Sequence, residues 1–152
     1  MPEPTRLKVI VQAICDGLAA VTSEPLASCG VRYGPQHSFR LGSGEVALVV
    51  VEHCEWDPGG LVHSGNAWTE WPRFRVTIYV PEDEGEGTAT EDLRLDLIDD
   101  VLAWLQSHRT VAAGVTGLSA MVVEVEEKAR ESGTEQLFRK AIIEVQAHRI
   151  RS

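Results

Sequence analysis

The sequence predicts an α+β domain in which an antiparallel (mixed) β-sheet is covered by two amphipathic helices and one long loop joins two strands. Two observations carry this prediction. Apolar residues recur at helical spacing in two separate segments, and four other segments are rich in β-branched residues or alternate with a period of two. The 152 residues have the length of one ordinary domain, so we expect a single domain over 1–152.

The first helix is predicted over residues 5–20. Apolar side chains recur there every three or four residues, which is typical of a helix with one buried face. The positions concerned are Leu7, Ile10, Val11, Ile14, Leu18 and Val21. Prolines, glycines and small residues follow, and they predict a connection with a short extended piece around 31–33.

The β-branched run at 45–56 predicts a strand, and its continuous apolar centre, Val46 to Val51, indicates cover on both faces. Asp57-Pro58-Gly59-Gly60 is strong turn chemistry, because proline fixes one backbone dihedral and glycine accepts positive ones. We therefore expect the strand to end there and a loop to span 57–72. The next segment, 73–80, alternates apolar and polar residues and predicts a half-buried strand.

The second helix is predicted over 90–107. Thr88 with Glu91 fits a capping box, and Thr90 is an alternative N-cap. Two strand-like runs, 120–129 and 137–150, close the chain. The turn residues between them, 130–134, predict an antiparallel hairpin.

Composition narrows the range of functions. The formal net charge is −9, and nine acidic residues accompany a single arginine between positions 81 and 100. This balance argues against a protein that grips nucleic acid through its phosphates. No apolar run approaches the roughly 20 residues of a membrane span, and the N-terminal segment lacks the apolar region of a secretory signal, so synthesis in the cytoplasm is expected. The three cysteines are expected to be free thiols.

The segment HCEWDPGGLVH holds three competent zinc ligands: His53, Cys54 and His63. Neighbouring strand residues point to opposite faces, so the first two could share an ion only across a local distortion. A strand end with incidental histidines is the favoured interpretation. The sequence contains no nucleophile-elbow or phosphate-loop motif. A two-carboxylate site could be drawn from Asp96, Asp99 and Asp100 or from Glu124 and Glu126, but both sets are best explained as solvated surface. Neither a catalytic residue nor a cofactor is predicted.

Two features point to interactions with other macromolecules. The predicted loop carries Leu61, Val62, Trp68 and Trp71, and long loops and tryptophans are both common in interfaces. The acidic block begins at "PEDEGEG", which contributes Glu82, Asp83, Glu84 and Glu86. It is either a solubilising surface or a wall that repels polyanions.

The layout as a whole resembles the tail terminator proteins of long-tailed phages, also called tail completion or tail-to-head joining proteins. The resemblance covers nearly the whole chain. It consists of an N-terminal helix, the strand VALVVVE, a long loop, the strand RFRVTIYV, the helix TEDLRLDLIDDVLAWLQS and the hairpin MVVEVEEKA…FRKAIIEVQAHRI.

The resemblance implies a structural protein of the virion, located at the head-proximal end of the tail after assembly in the host cytoplasm. Such proteins form a hexameric ring that caps the tail tube, ends its polymerisation and meets the head completion or connector protein. DNA only passes through the ring. On this interpretation, Leu61, Val62, Trp68 and Trp71 contact a neighbouring subunit or the tube, and Glu82, Asp83, Glu84 and Glu86 line the channel. Another head–tail connector or cap protein, or a small metal-dependent enzyme, are the alternatives.

Overall fold

A computed structural model describes residues 6–34, 41–64, 67–82, 87–111, 115–130 and 137–151. These described residues form two helices, five strands and a short 3₁₀ turn at Leu26–Ser28. In chain order the elements are α1 (Leu7–Ala19), β1 (Gly30–Tyr33), β2 (Leu48–Ser64), β3 (Ala67–Pro81), α2 (Gly87–Ser107), β4 (Val115–Arg130) and β5 (Leu137–Arg151).

The five strands form one sheet in the order β1-β2-β3-β5-β4. β1 runs parallel to β2, whereas every other neighbouring pair is antiparallel. The α+β prediction of a sheet with two helices is confirmed, and the short extended piece predicted at 31–33 is the strand that makes the sheet mixed.

Both helices pack on the same face of the sheet and form the main core with it. β3 contributes its even-numbered residues Phe74, Val76, Ile78 and Val80, all of which are buried, as the alternating sequence predicts. The helix residues buried in this core are Ile10, Val11, Ile14, Cys15 and Leu18 of α1 and Leu97, Ile98, Val101, Trp104 and Leu105 of α2. The helical spacing seen in the sequence is therefore the spacing of the buried stripes.

The opposite face of the sheet holds a second, smaller cluster of buried residues, formed by Leu48, Val50, Tyr79 and Phe138. Tyr79 and Phe138 meet edge to face, with ring centroids 5.8 Å apart. Leu48 and Val50 alternate along β2 with Val49 and Val51, which belong to the main core. The predicted cover on both faces of the apolar run is confirmed.

The prediction of a long loop over residues 57–72 is wrong. β2 continues through Pro58-Gly59-Gly60 to Ser64, and β3 already begins at Ala67. The turn residues lie where the pairing register shifts, between Trp56, opposite Pro72, and Leu61, opposite Glu70. An irregularity in a strand accepts proline, which has no N–H to donate, and glycine, which tolerates unusual dihedrals. The proline and glycines therefore interrupt the pairing within a long hairpin and do not end the strand.

The other boundaries differ by a few residues. α2 begins at Gly87, so both predicted N-caps, Thr88 and Thr90, lie inside its first turn. The closing hairpin is confirmed, with β4 starting at Val115. The turn predicted at 130–134 extends outside the described residues. Helix α2 ends at Ser107. The imidazole of the next residue, His108, stacks on the indole of Trp104 with ring centroids 4.3 Å apart.

Candidate interaction surface

The four sequence-predicted interface residues lie along the backbone at the outer end of the β2–β3 hairpin. Leu61, Val62 and Trp68 all lie within the last four residue pairs of the hairpin: Leu61 opposite Glu70, Val62 opposite Thr69, and Trp68 opposite His63. For these three residues the structure describes the backbone pairing only. They lie on paired strands, and this end of the sheet is widened by β5, whose Arg151 pairs with Trp68.

Trp71 lies close to this group and is half-buried. Its ring centroid is 4.8 Å from that of His148, with the two ring planes tilted by 51°. By the alternation along β3, Trp71 is on the face of the sheet away from the helices. His148 is exposed, so this aromatic pair forms part of the accessible surface at the outer end of the sheet.

A buried ion pair lies next to the aromatic pair, on the helix-covered face. Nε of Arg149 donates a hydrogen bond of 2.6 Å to Oε2 of Glu70, and the two residues oppose each other on β5 and β3. Val115 of β4 opposes Arg149 from the other side. The ion pair therefore joins β3 to β5 with both charges removed from water, and β4 meets the same level of the sheet only through Val115.

His53 lies on the same face, where it meets Phe74 edge to face at 5.5 Å. Burial, followed by the charge of Arg149, lowers the pKa of His53 below its usual range. The imidazole is therefore neutral at pH 7, which is the form that a core histidine or a metal ligand would take.

The geometry opposes the three-ligand zinc site. Cys54 does lie at a register shift in β2, which is the local distortion that a shared ion would require. However, His53 opposes Phe74 whereas His63 opposes Trp68, so the two histidines are six residues apart along β3. That spacing corresponds to roughly 20 Å of strand, far beyond the reach of two ligands on one ion. Among the side chains that the structure describes, no group of three potential ligands is present.

The acidic segment is only partly described. Glu82 is 11% exposed, and its carboxylate accepts hydrogen bonds from Arg139 at 3.1 Å. Its charge is therefore compensated inside the protein. Asp83, Glu84 and Glu86, which the resemblance also places in a channel, lie outside the described residues.

Arg139 also links Glu82 to the first turns of α2. Its Nη1 atom is 2.8 Å from Oε2 of Glu91, whose carboxylate is also bonded by Arg94 of the same helix. Hydrogen bonds from Arg94 and then from Arg139 hold the pKa of Glu91 below its usual range. Glu91 therefore belongs to an ion-pair network that links α2 to β5, whereas the sequence predicted that it would cap the helix.

On α2 the acidic residues Asp92, Asp96 and Asp99 are exposed, as predicted for a solvated surface. Asp100 differs, because it is half-buried next to the 3₁₀ turn. Burial is the main cause that raises the pKa of Asp100, although its carboxylate accepts a hydrogen bond from the backbone N–H of Leu26.

Two of the cysteines are described, and both are free thiols, as expected. Cys15 is buried in the main core. Burial, with the nearby charges of Glu24, Asp100 and Glu45, raises the pKa of Cys29 to about 12. Since the thiolate is the reactive form, Cys29 is inert at neutral pH.

A groove that the sequence did not predict lies between α2 and β4. Its volume is about 450 Å³, and it is lined by Leu102, Leu105, Gln106, Arg109, Leu118, Ser119 and Ala120. A signal was present in the sequence: residues 117–122, GLSAMV, carry no charge in a chain in which 24% of residues are charged. Only residues 120–122 of this run fall within the predicted strand 120–129, and the position of that strand in the sheet depends on the pairing of distant segments.

No helix among the described residues is long and apolar enough to cross a membrane. Neither a protein-family model nor a curated protein matches the chain.

Proposed function

We propose that this protein is a tail terminator of a long-tailed phage, which forms a ring on the end of the tail tube. The observation that carries the proposal is the long β2–β3 hairpin, with strands of 17 and 15 residues, whose outer end includes Leu61, Val62, Trp68 and Trp71. The hairpin takes the place of the reaching loop that the resemblance implies. It extends from an α+β domain of the expected kind.

A ring requires one adhesive surface that binds a different surface on the next subunit. The outer end of the hairpin suits the adhesive role, because tryptophan contributes a large contact area at low entropic cost. Trp71 is half-buried against His148, so its orientation is held before any partner arrives. A pre-ordered aromatic group of this kind strengthens association, since less freedom is lost on binding.

The charge of the protein fits a channel through which DNA slides without sticking. A net charge of −9 repels phosphates, and a negative wall would keep DNA from binding during passage. Glu82 is engaged by Arg139, so the proposed lining consists of Asp83, Glu84 and Glu86. The exposed acids of α2 are further candidates for it.

The primary test is ring formation and tube capping. Native mass spectrometry over a concentration series, with negative-stain microscopy, should show closed rings either alone or on tubes of the phage's own tail tube protein. Trp68→Ala with Trp71→Ala should abolish capping. The matched control is Tyr33→Ala, which removes an aromatic residue that is 46% exposed on β1. Capping by the double tryptophan variant at the wild-type level would refute the interface assignment.

The channel assignment has its own test. Asp83→Lys with Glu84→Lys should leave particle assembly intact and slow DNA ejection, because added cations bind phosphate. Reversal of Asp16 on α1 to lysine changes the charge away from the proposed lining and should leave ejection unchanged. Ejection at the normal rate from particles with the double reversal would remove the lumen assignment.

Another head–tail connector or cap protein remains the alternative within the same class, and tube capping separates it from a terminator. The metal-dependent enzyme is opposed by the spacing of His53 and His63 along the sheet. The same mass spectra test it, because a bound zinc that disappears in His63→Ala would favour that function.

A further inference from the structure

A second, smaller cavity adjoins the groove between α2 and β4. Its volume is about 250 Å³, and it is lined by Arg109, Gly117, Leu118, Ser119, Gln146 and His148. Three of these residues, Arg109, Leu118 and Ser119, also line the groove. The two spaces therefore meet at one point on the edge of the sheet, beside the end of α2.

The two spaces lie on opposite faces of β4. Leu118 and Ala120 line the groove and pack against the main core, so the groove is on the face covered by the helices. Ser119 alternates with them along the strand and pairs with Gln146 of β5, and both residues line the smaller cavity. By this alternation, the smaller cavity opens on the other face of the sheet.

Gly117 and Arg109 connect the two faces. Gly117 pairs with His148 but has no side chain, and a Cβ added to it would meet no atom within 4 Å. Arg109 lines both spaces, so it lies at the edge of the strand beside this opening. An elongated ligand that crosses the edge at Gly117 would therefore contact Arg109.

The smaller cavity offers hydrogen-bond donors and a positive charge. Apart from a glycine and a leucine, its lining residues are an arginine, a serine, a glutamine and a histidine, all of which carry N–H or O–H groups. No described aspartate or glutamate lines either space. Glu144, two residues before Gln146 on the same face of β5, is engaged by Arg73 at 3.3 Å. In a chain with a net charge of −9, an anion meets donors here and no opposing carboxylate.

Arg109 is exposed and has no carboxylate partner among the described residues. Arginines elsewhere in the domain do have one: Arg32 binds Glu45, and Arg149 binds Glu70. The planar guanidinium presents several N–H donors in a fork that matches the two oxygens of a carboxylate. A single arginine among neutral donors balances one negative charge, so it suits a carboxylate better than a phosphate dianion.

The groove supplies an apolar surface for the rest of such a ligand. Its volume of about 450 Å³ is within the range of small-molecule sites. Its apolar residues come from both α2 and β4: Leu102, Leu105, Leu118 and Ala120. The combined site is therefore cationic and rich in donors at one end and apolar at the other.

We propose that the two spaces form one binding site for a small organic acid with an apolar tail, such as a medium-chain fatty acid. The carboxylate accepts hydrogen bonds from the guanidinium of Arg109 and from donors of the smaller cavity, and the tail lies along the leucines of the groove. Burial of the tail supplies affinity, whereas the arginine fixes the direction in which the ligand lies.

The inference does not depend on the proposed function. The residues that line the two spaces do not include the interface residues Leu61, Val62, Trp68 and Trp71. Failure of tube capping would leave the acid site intact, and failure of acid binding would leave capping to be tested separately.

The first experiment is isothermal titration calorimetry of the full chain with sodium octanoate. Octanamide is the ligand control, because it has the same tail and no charge. We expect saturable binding of one octanoate per chain, and binding of octanamide that is weaker by at least about tenfold. Shorter acids should bind more weakly, by up to about fourfold for each methylene removed.

Two arginine variants locate the carboxylate. Arg109→Gln keeps N–H donors but removes the charge, and it should weaken octanoate binding by at least about tenfold. Arg6→Gln is the matched control, because it removes the same charge from an exposed residue in front of α1 and should leave the affinity unchanged. No saturable binding of octanoate, equal affinity for octanamide, or equal affinities of the two arginine variants would each overturn the proposal.

A third variant locates the tail. Leu102→Asn places a polar group in the groove at a half-buried residue of α2. It should reduce the gain in affinity from hexanoate to octanoate, because the added methylenes then meet a polar surface. An unchanged gain would show that the tail does not lie in the groove and would overturn the combined site.

Discussion

Nε of Arg149 lies 2.6 Å from Oε2 of Glu70, and the two side chains are only 2% and 7% exposed. The residues are 79 positions apart in the chain but directly opposed in the sheet. A buried pair of this kind contributes little net stability compared with apolar residues of the same size, because both charges have lost their hydration. Its removal from one side only is costly, since the remaining charge is left buried and alone.

Arg149→Met should therefore destabilise the protein by about 3–5 kcal/mol, because it leaves the Glu70 carboxylate buried without its guanidinium. Adding Glu70→Leu should recover most of that loss, since no buried charge then remains. Urea unfolding followed by tryptophan fluorescence measures both free energies of unfolding. A double variant that is less stable than Arg149→Met would show that the pair makes a net favourable contribution.

The matched control is the pair formed by Arg32 and Glu45, whose side chains are 34% and 21% exposed. Solvent screens this pair, so Arg32→Met should cost no more than about 1 kcal/mol. An equal loss for the two arginine variants would mean that burial is not what makes the Glu70–Arg149 pair sensitive.

Local patterns predicted the elements of this fold well. The alternation through Phe74 and Val80 identified both the strand and its buried face, because a strand residue's side depends only on the period of two. The Asp57–Gly60 segment misled the prediction for the same reason that it was informative. Proline and glycine show which backbone dihedrals a segment can adopt, and a register shift inside a strand accommodates these residues as well as a loop does.

Pairing across the sheet could not be predicted from local patterns. Glu82 was grouped with its acidic neighbours, yet its partner, Arg139, lies 57 positions later on β5. The edge position of β4 depends likewise on β5 pairing with β3 on its other side. Such contacts are set by the packing of the whole chain, so a candidate site built from neighbours in the sequence misses them.

The helix packing makes a prediction at Gly17, where α1 approaches Trp104 of α2. A Cβ atom at this position would overlap the Trp104 ring. Alanine in a helix interior is intrinsically favoured over glycine by about 1 kcal/mol. We expect the clash to dominate, so that Gly17→Ala lowers the free energy of unfolding by about 1–3 kcal/mol.

The second variant, Gly17→Ala with Trp104→Phe, replaces the indole by a smaller ring and should restore part of the loss in the same urea titration. Gly117→Ala provides the control, because an added Cβ there meets no atom within 4 Å. Greater stability of Gly17→Ala than wild type would show that the helices separate easily at this point.

Reversing the charge of Glu82 should affect the fold itself. Its carboxylate is mostly buried against Arg139, so Glu82→Lys would place two cations in contact at the junction of β3 and β5. We expect a loss of about 2–4 kcal/mol in thermal or urea unfolding, and a smaller loss for Glu82→Gln, which keeps an acceptor oxygen. Equal stability of Glu82→Lys and wild type would return Glu82 to the candidates for a free acidic surface.

Asp100 should make stability depend on pH in the opposite direction to the ion-paired carboxylates. Because burial raises its pKa in the folded protein, folding favours its protonated form, and its unfavourable contribution develops as the pH rises through that raised pKa. Asp100→Asn should therefore be more stable than wild type at pH 7, by about 0.5–2 kcal/mol. The difference should shrink as the pH falls to the ordinary carboxyl range and vanish below it.

The other carboxylates do not obscure this comparison. Hydrogen bonds from arginines lower the pKa values of Glu45 and Glu91, so both residues lose their stabilising contribution on acidification. They do so equally in wild type and Asp100→Asn, and the effect cancels in the difference between the two. Asp99→Asn removes the same charge from an exposed neighbouring position and should produce a smaller gain at pH 7. A constant difference between Asp100→Asn and wild type from pH 7 to pH 3 would mean that the substitution acts through packing, because a titrating carboxylate must lose its effect once it is protonated.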